Sequence, residues 1–494
     1  MRRSVHRSMA SSSEGPRSKA WTCCLSLIAL ALAGAVNEPV MDQVVEAEGS
    51  RSRAWQRIEL ASQRVGDGSP LGTRRPNVLI FLTDDQRFGT TRAMKATRRL
   101  IGRKGLTFTN AHATTPLCCP SRASVMTGRY AHNHRVRRNF SGGNLKMSTT
   151  LQHDLSNAGY LTAIIGKFLN GWNPKRIPPD FDRSVLLTPV NSPFAYGTNA
   201  YTDSFFSIDG RVRRVKRYAT DFIRSRTVKF LRRFNRRDRR PWMMYVQPFA
   251  PHSPALPARR HAGTRVGGVR SNPAIRDRNR YGKAPDVRRW RVDQEWVKDF
   301  APDQNRTMLA VDEMIARIFR WLSKLEEARR TLVIFTSDNG VMWGEHGLAG
   351  KKYPYTYSTK VPMLMRWPGH VRPRSSTARL VANVDIAPTV YHATGVEPSH
   401  VLDGRSLLSR SRRKVLLLEH WENTEWRALR SRRHLYIEYT NGPRIRFREL
   451  YNLKRDPWQL RNLLHRNPDR HRDIATRLHR RLVRRAHCKG TACF

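Results

Sequence analysis

Two stretches of this chain are almost continuously apolar and then turn acidic. Residues 77–82 read NVLIFL and lead into Thr83, Asp84 and Asp85; residues 331–336 read TLVIFT and lead into Ser337, Asp338, Asn339 and Gly340. Runs of this length without alternation fit strands buried on both faces of a parallel sheet. Ahead of the second run, Val311, Met314, Ile315, Ile318, Leu322 and Leu325 recur at the spacing of one helix face. The unit is therefore helix, buried strand, then acid at the strand's carboxyl end, the edge where open α/β sheets bind ligands. A third apolar run, 161–165, ends in Gly166 and Lys167. From about residue 411 the texture changes. Short segments at 415–419, 427–429, 435–439 and 449–453 are separated by turn residues such as Asn441 and Gly442, which predicts a small antiparallel sheet. A basic helix is predicted over 469–485, with Ile474, Leu478 and Leu482 on one face.

The beginning of the chain reads differently. Arg2 and Arg3 open a basic region that runs to Lys19, and an apolar stretch from Cys23 to Val36 ends in the small residues Ala33, Gly34 and Ala35. That pattern predicts a signal peptide over 1–36, with an uncleaved anchor as the competing reading, and hence a secreted or cell-envelope protein. Residues 37–73 are polar and irregular and read as a linker. The remainder divides into a large domain over 74–410 and a C-terminal α+β subdomain over 411–494. No stable membrane span is expected.

Length and charge narrow this further. A chain of 494 residues with 39% hydrophobic content buries a sizeable core. Its net charge of +52, from 91 Lys+Arg against 39 Asp+Glu, makes polyanions attractive partners. The basic residues are dispersed over the whole chain, with clusters at 211–217, 232–240 and 477–485, as a generally basic surface would have them. Charge alone names no substrate, and no nucleic-acid partner is expected. There is no glycine-rich nucleotide loop and no internal repeat. Of six cysteines, Cys23 and Cys24 lie in the leader; Cys488 and Cys493 are close enough in the chain to form a small terminal disulfide after export.

The other two lie in LCCPSRASVMTGR, residues 117–129. Pro120 suits the first turn of a helix and Gly128 its end, which places Cys118 at a helix N-terminus, where an anion is favoured. Arg122, four residues on, reaches toward the same anion. Vicinal cysteines are more often disulfide halves or buried thiols, and a zinc knuckle lacks its second Cys/His pair. Taken whole, the string Cys118, Pro120, Ser121, Arg122, Thr127 and Gly128 resembles the signature of the sulfatase family.

That resemblance implies a mixed, mostly parallel α/β sheet with helices on both faces, of the alkaline phosphatase type. It implies that Cys118, not Cys119, is oxidised after translation to formylglycine, an aldehyde nucleophile, by a formylglycine-generating enzyme. It also implies that Asp84, Asp85, Asp338 and Asn339, with residue 118, hold one calcium ion. Two strand ends that deliver oxygen ligands to one sheet edge suit such a hard cation. Lys167 resembles the family's GK lysine, His252 the histidine of its PHxP segment (Pro251, His252, Pro254), and Lys351 its late lysine. Residues 385–389 resemble a structural DIAPT segment. Cys118, Arg122, Lys167, His252 and Lys351 are thus the expected catalytic set, with His252 or Lys351 protonating the leaving alcohol.

Departures narrow the resemblance. Leu169 stands where many arylsulfatases carry a histidine, two residues after the GK lysine, with Asn170 next to it; the N-acetylglucosamine-6-sulfatase branch reads similarly, which points to a sulfated sugar or glycosaminoglycan, or an aryl sulfate. Residues 127–136 and 250–254 resemble that branch too, placing His132 and His134 near the site rim unless they are structural. Thr356 replaces an acidic residue common in the late lysine loop. The alternatives are a phosphonate or phosphodiester hydrolase of the same superfamily, and a non-catalytic exported polyanion-binding protein.

Overall fold

A computed structural model of the chain describes residues 75–188, 200–236, 240–277, 279–410 and 412–494. The leader (1–36) and linker (37–73) lie outside the described residues.

The first buried run becomes β1 (Asn77–Thr83) and the second β8 (Thr331–Ser337), paired in parallel from Asn77 opposite Thr331 to Thr83 opposite Ser337. Between them in sequence come β2 (Leu106–His112), β3 (Leu161–Lys167), β4 (Arg183–Leu187), β5 (Ser204–Ile208), β6 (Arg211–Val215) and β7 (Trp242–Gln247). After β8 come the short β9 (Met342–Trp343) and β10 (Ala349–Gly350), then β11 (Lys360–Arg366), β12 (Ser375–Thr377) and β13 (Val381–Ala382). Eleven of these strands form one sheet in the order β12-β2-β11-β8-β1-β7-β3-β4-β5-β6, with β13 also beside β2. The centre, β8-β1-β7-β3-β4, is parallel; β11, β5 and β6 run against their neighbours. This is the mixed, mostly parallel α/β sheet expected.

Both faces of β1 are covered, which is why its sequence does not alternate. Val78, Ile80 and Leu82 pack with α1 (Cys118–Thr127) and the helix Leu151–Asn157, whereas Leu79 and Phe81 face α2 (Ala219–Asn235) and α3 (Gln294–Lys324). α3 starts well before the apolar spacing at Val311, on an Asp293 cap whose carboxylate accepts from the Glu295 N–H at 2.9 Å, and it continues through Pro302. Residues 386–394 form α4 (Ile386–Thr394), which packs on the α1 side.

The C-terminal segments form an antiparallel sheet of β14 (Val415–His420), β15 (Glu425–Ser431), β16 (His434–Asn441) and β17 (Arg444–Asn452), followed by α5 (Pro468–Arg485). Leu416, Trp426, Tyr436 and Tyr451 of this sheet share a core with Leu482 of α5 and with Tyr130 and Tyr355 of the large-sheet segments. Cys488 and Cys493 are joined by a disulfide, and Cys118 and Cys119 are free.

Candidate active site

Parallel pairing brings the carboxyl ends of β1, β7, β8 and β3 to one edge, and with them Asp84, Gln247, Asp338 and Lys167. β2 also runs toward that edge, so the chain leaving it enters α1 directly over the acids. α1 begins at Cys118 itself and ends at Gly128, whose φ of 66° is the left-handed conformation of a glycine C-cap.

Asp85 also adopts a left-handed backbone, φ 63°, a conformation uncommon outside glycine, asparagine and aspartate. Its N–H donates to Asp338 Oδ1 at 3.1 Å, and Asn339 Nδ2 donates to Asp85 Oδ1 at 2.7 Å. Gly166 has a φ of 113°, and a Cβ there would lie 1.9 Å from the Gln247 carbonyl oxygen. Only glycine lets β3 and β7 approach closely enough to set Lys167 beside Gln247.

Cys118 Sγ donates to Asp84 Oδ1 at 3.3 Å, and Lys351 Nζ lies 2.7 Å from the same sulfur and 2.6 Å from Asp85 Oδ1. Lys167 Nζ pairs with Asp84 Oδ2. The Cys119 thiol points away, toward the Asn170 carbonyl at 3.6 Å. Of the two vicinal cysteines, Cys118 is the one that meets the carboxylates.

Arg122 is 1% exposed, and its guanidinium is turned onto Asp338: Nε donates to Oδ2 at 3.0 Å, and a second nitrogen lies 2.9 Å from that oxygen. The third nitrogen donates to Gln247 Oε1 at 2.6 Å and to the Lys167 carbonyl at 3.0 Å. Gln247 is a site residue that the sequence reading missed. Its only signal is that it closes the buried run WMMYVQ with a polar group, as Thr83 and Ser337 close theirs.

His252 lies between two cis X-Pro bonds and donates from Nδ1 to the Ser253 carbonyl at 2.7 Å, leaving Nε2 3.7 Å from Asp85 Oδ2. His132 and His134 belong elsewhere. His132 bridges Glu419 and the Cys488 carbonyl, each at 2.8 Å, and His134 Nε2 meets Ser124 Oγ at 3.0 Å. Thr356 also faces away from the acids: its N–H donates to Gln459 and its hydroxyl accepts from Arg430.

The electrostatics follow from burial among these charges. Burial opposes ionisation of Asp84, but Lys167, His252 and Arg122 outweigh it and hold the carboxyl well below its usual range. Burial, followed by Asp84, pushes Asp338 up to about 6 against the pull of Arg122. Burial also opposes the charge of Lys351, yet Asp85 and its neighbours hold that ammonium well above the ordinary lysine value. Burial and then Asp84 push the Cys118 thiol well above its usual value, so an unmodified sulfur here is a poor nucleophile. Burial lowers the His252 pKa despite Asp84 and Asp85.

The donor set fits a hard divalent cation. Oxygens of Asp84, Asp85 and Asp338 lie within 4.8 Å of one another, and Asn339 Oδ1 is buried with no hydrogen-bond partner among the described residues. An unpaired buried oxygen is costly unless something binds it, and carboxylates with one amide oxygen are calcium-type ligands.

A family pattern described as Sulfatase matches residues 76–396. The chain belongs to the sulfatase family. A second pattern, N-sulphoglucosamine sulphohydrolase, C-terminal, matches residues 344–487. Human N-acetylglucosamine-6-sulfatase is 31% identical over 387 residues, covering 73% of this chain and 67% of that one. A putative extracellular sulfatase Sulf-1 homolog of Caenorhabditis elegans is 31% identical over 382 residues, 70% of this chain; the match spans about half (52%) of that relative's length. In fold, the chain superimposes on a structure solved in complex with its substrate D-glucosamine-2-N,6-O-disulfate, with a TM-score of 0.73 at 24% identity, covering 83% of this chain and 97% of the other.

Proposed function

We propose that this chain is an exported hydrolase of sulfate esters on glucosamine-6-sulfate-type sugars, with residue 118, matured to formylglycine, as its nucleophile. One observation carries this reading: Cys118, at the first turn of α1, has its sulfur within 2.7 Å of a protonated lysine and 3.3 Å of Asp84, over a cluster of acidic strand ends. The sulfatase relatives named above support the substrate class, and the extracellular one supports export.

A formylglycine at 118 supplies a nucleophile that can be regenerated, and a calcium ion held by Asp84, Asp85, Asp338 and Asn339 supplies positive charge for the ester oxygens. The chain's own residues do the rest. Arg122 fixes Asp338 and Asp84 in place. Lys351 and Lys167 bring positive charge to two sides of the reacting sulfate. His252 lines the cavity next to the acids together with Lys167, with its Nε2 3.7 Å from Asp85 Oδ2. His252 is the candidate that delivers a proton to the leaving alcohol, with Lys351 as its competitor.

The test is direct. A proteolytic peptide containing residue 118 from matured protein weighs about 18 Da less than its thiol form, the difference between cysteine and its aldehyde. Cys118→Ala abolishes turnover of an aryl sulfate, whereas Cys119→Ala keeps much of it; equal loss in both overturns the assignment. Faster turnover of an aryl phosphodiester than of the sulfate favours the phosphodiesterase alternative.

A further inference from the structure

Lys351 is followed in the chain by a residue in an unfavourable backbone conformation. Lys352 has a φ of 82°, a left-handed value that is costly for a residue with a side chain and persists only where its surroundings hold it. Its contacts do so. The Lys352 N–H donates to the Pro116 carbonyl at 3.2 Å, and its own carbonyl accepts from the Trp426 indole at 2.8 Å. Its ammonium donates to Glu422 Oε1 at 2.6 Å. Pro116 stands just ahead of Cys118, so these contacts fasten the lysine loop to the chain that enters α1.

Glu422 lies in the turn between β14 and β15. Its second oxygen accepts from the Asn139 N–H at 2.7 Å, and Asn139 Oδ1 accepts in turn from the Cys119 N–H at 3.3 Å. Trp421, in the same turn, faces Arg137, whose guanidinium carbon lies 5.1 Å from the ring centroid. One carboxylate thereby ends two arms that both return to the start of α1, one through Lys352 and Pro116, the other through Asn139 and Cys119. Burial opposes the charge of Glu422, but Lys352 and the Asn139 N–H outweigh it and hold the carboxyl below its usual range. The Lys352 and Glu422 side chains are 33% and 20% exposed. A pair so placed adds little to stability by itself. Its consequence here is geometric, because from the next position in the chain Lys351 Nζ must reach Cys118 Sγ at 2.7 Å and Asp85 Oδ1 at 2.6 Å.

We propose that Glu422 is a positioning residue for catalysis: by holding the Lys352 ammonium it keeps Lys352 in its left-handed conformation and so aims Lys351 at residue 118. The inference rests on the sulfatase reading, in which Lys351 faces the reacting sulfate. Glu422 is bonded to Lys352 and Asn139 and acts through them. Rotation of the backbone at Lys352 swings the Lys351 side chain, and a misplacement of about 1 Å at a reacting centre costs up to about 10²-fold in rate.

The experiment measures kcat and KM on an aryl sulfate and on a glucosamine 6-sulfate for wild type, Glu422→Ala, Lys352→Ala and the double variant. Each is normalised to its aldehyde content at residue 118, read from the mass deficit of about 18 Da. Glu422→Ala is expected to lower kcat about 10-fold with KM changed less than about 3-fold, and Lys352→Ala to do the same. Both changes break one link, so the double variant falls no more than about 2-fold below the weaker single one. Glu422→Gln keeps the shape and the acceptor for Asn139; it lowers kcat by about 3-fold and reads the link even if Glu422→Ala fails to fold. Lys352→Gly, whose backbone takes a φ of 82° freely, keeps at least about 3-fold more kcat than Lys352→Ala. An unchanged kcat in the Glu422 variants, a loss carried by KM, losses that multiply to about 100-fold in the double variant, or equal activity of Lys352→Gly and Lys352→Ala overturns the role. Wild-type protein that carries the aldehyde and turns over neither substrate overturns the sulfatase reading itself and is a distinct outcome.

Discussion

Two of the clusters of buried ionisable groups among the described residues have opposite results. At the large sheet's edge, Asp84, Asp85, Asp338, Arg122, Lys167 and Lys351 are packed together, yet Asn339 Oδ1 lacks a partner among the described residues and Asp338 is pushed up to about 6 by burial and Asp84. Against the C-terminal sheet, Lys283 and Glu449 are also buried, and there the polar groups are answered. Lys283 Nζ donates to Tyr451 at 2.9 Å and to the Gln459 carbonyl; Glu449 accepts from Tyr355, Tyr451 and the Ala284 N–H at 2.8–3.2 Å. Burial still pushes Lys283 down to about 8, but no oxygen of Glu449 is left unpaired. A satisfied buried network is structural, whereas an unsatisfied one marks a place for something to bind.

The two regions are connected. Tyr355, four residues after Lys351, is anchored on Glu449, so the C-terminal sheet positions the loop that brings Lys351 to Cys118.

Four experiments break or sharpen this contrast. The largest effect belongs to the sheet edge: His252→Ala lowers turnover of a sugar 6-sulfate by about 10²–10⁴-fold but that of an aryl sulfate with an acidic phenol by less than about 10-fold. Equal losses would assign His252 to binding instead of proton transfer. Next comes the satisfied network. Glu449→Leu strips the hydrogen-bond acceptor from Tyr355 and Tyr451 and the countercharge from Lys283, and costs about 3 kcal/mol in urea unfolding; a loss below about 1 kcal/mol contradicts the role given to the network.

Calcium separates the regions directly. Added to metal-stripped protein at about 100 times its dissociation constant, it raises unfolding free energy by about 2.7 kcal/mol. Asp338→Asn loses that gain and Glu449→Leu keeps it. The smallest effect concerns His132, which donates from both ring nitrogens to a carboxylate and a carbonyl, and so is satisfied only as an imidazolium. Burial opposes that charge, but Glu419 outweighs it and raises the pKa above the ordinary histidine value. A raised folded pKa means the stabilisation is complete below about pH 6.5 and is lost as pH climbs through the folded value. The stability gap between wild type and His132→Ala, about 1–2 kcal/mol in acid, therefore narrows toward alkaline pH.

Much of the site was readable in the chain. Strands buried on both faces announce themselves by unbroken apolar runs, and the polar residue closing each run marks the ligand-binding edge, as Thr83 and Ser337 do before their acids. Gln247 follows the same rule but was passed over, because one glutamine after an apolar run has no chemistry of its own until Arg122 is beside it. The apolar spacing that starts at Val311 gave only the second half of α3, whose first half runs through Pro302. The resemblance of residues 127–136 placed His132 and His134 near the rim unless they were structural; the fold supplies the partners, Glu419, Cys488 and Ser124, that make them structural.

The amino-acid sequence by itself determined the central buried strands, the acids at their ends, the cysteine helix with its glycine stop, and the C-terminal strands and helix, because each is written in local spacing. Tertiary structure alone decided that Cys118 faces the acids while Cys119 turns away, that Arg122 clasps Asp338 from 216 residues off, and that Lys351 meets the sulfur across 233. Such facts depend on which distant groups share a volume, and local propensity carries no information about that.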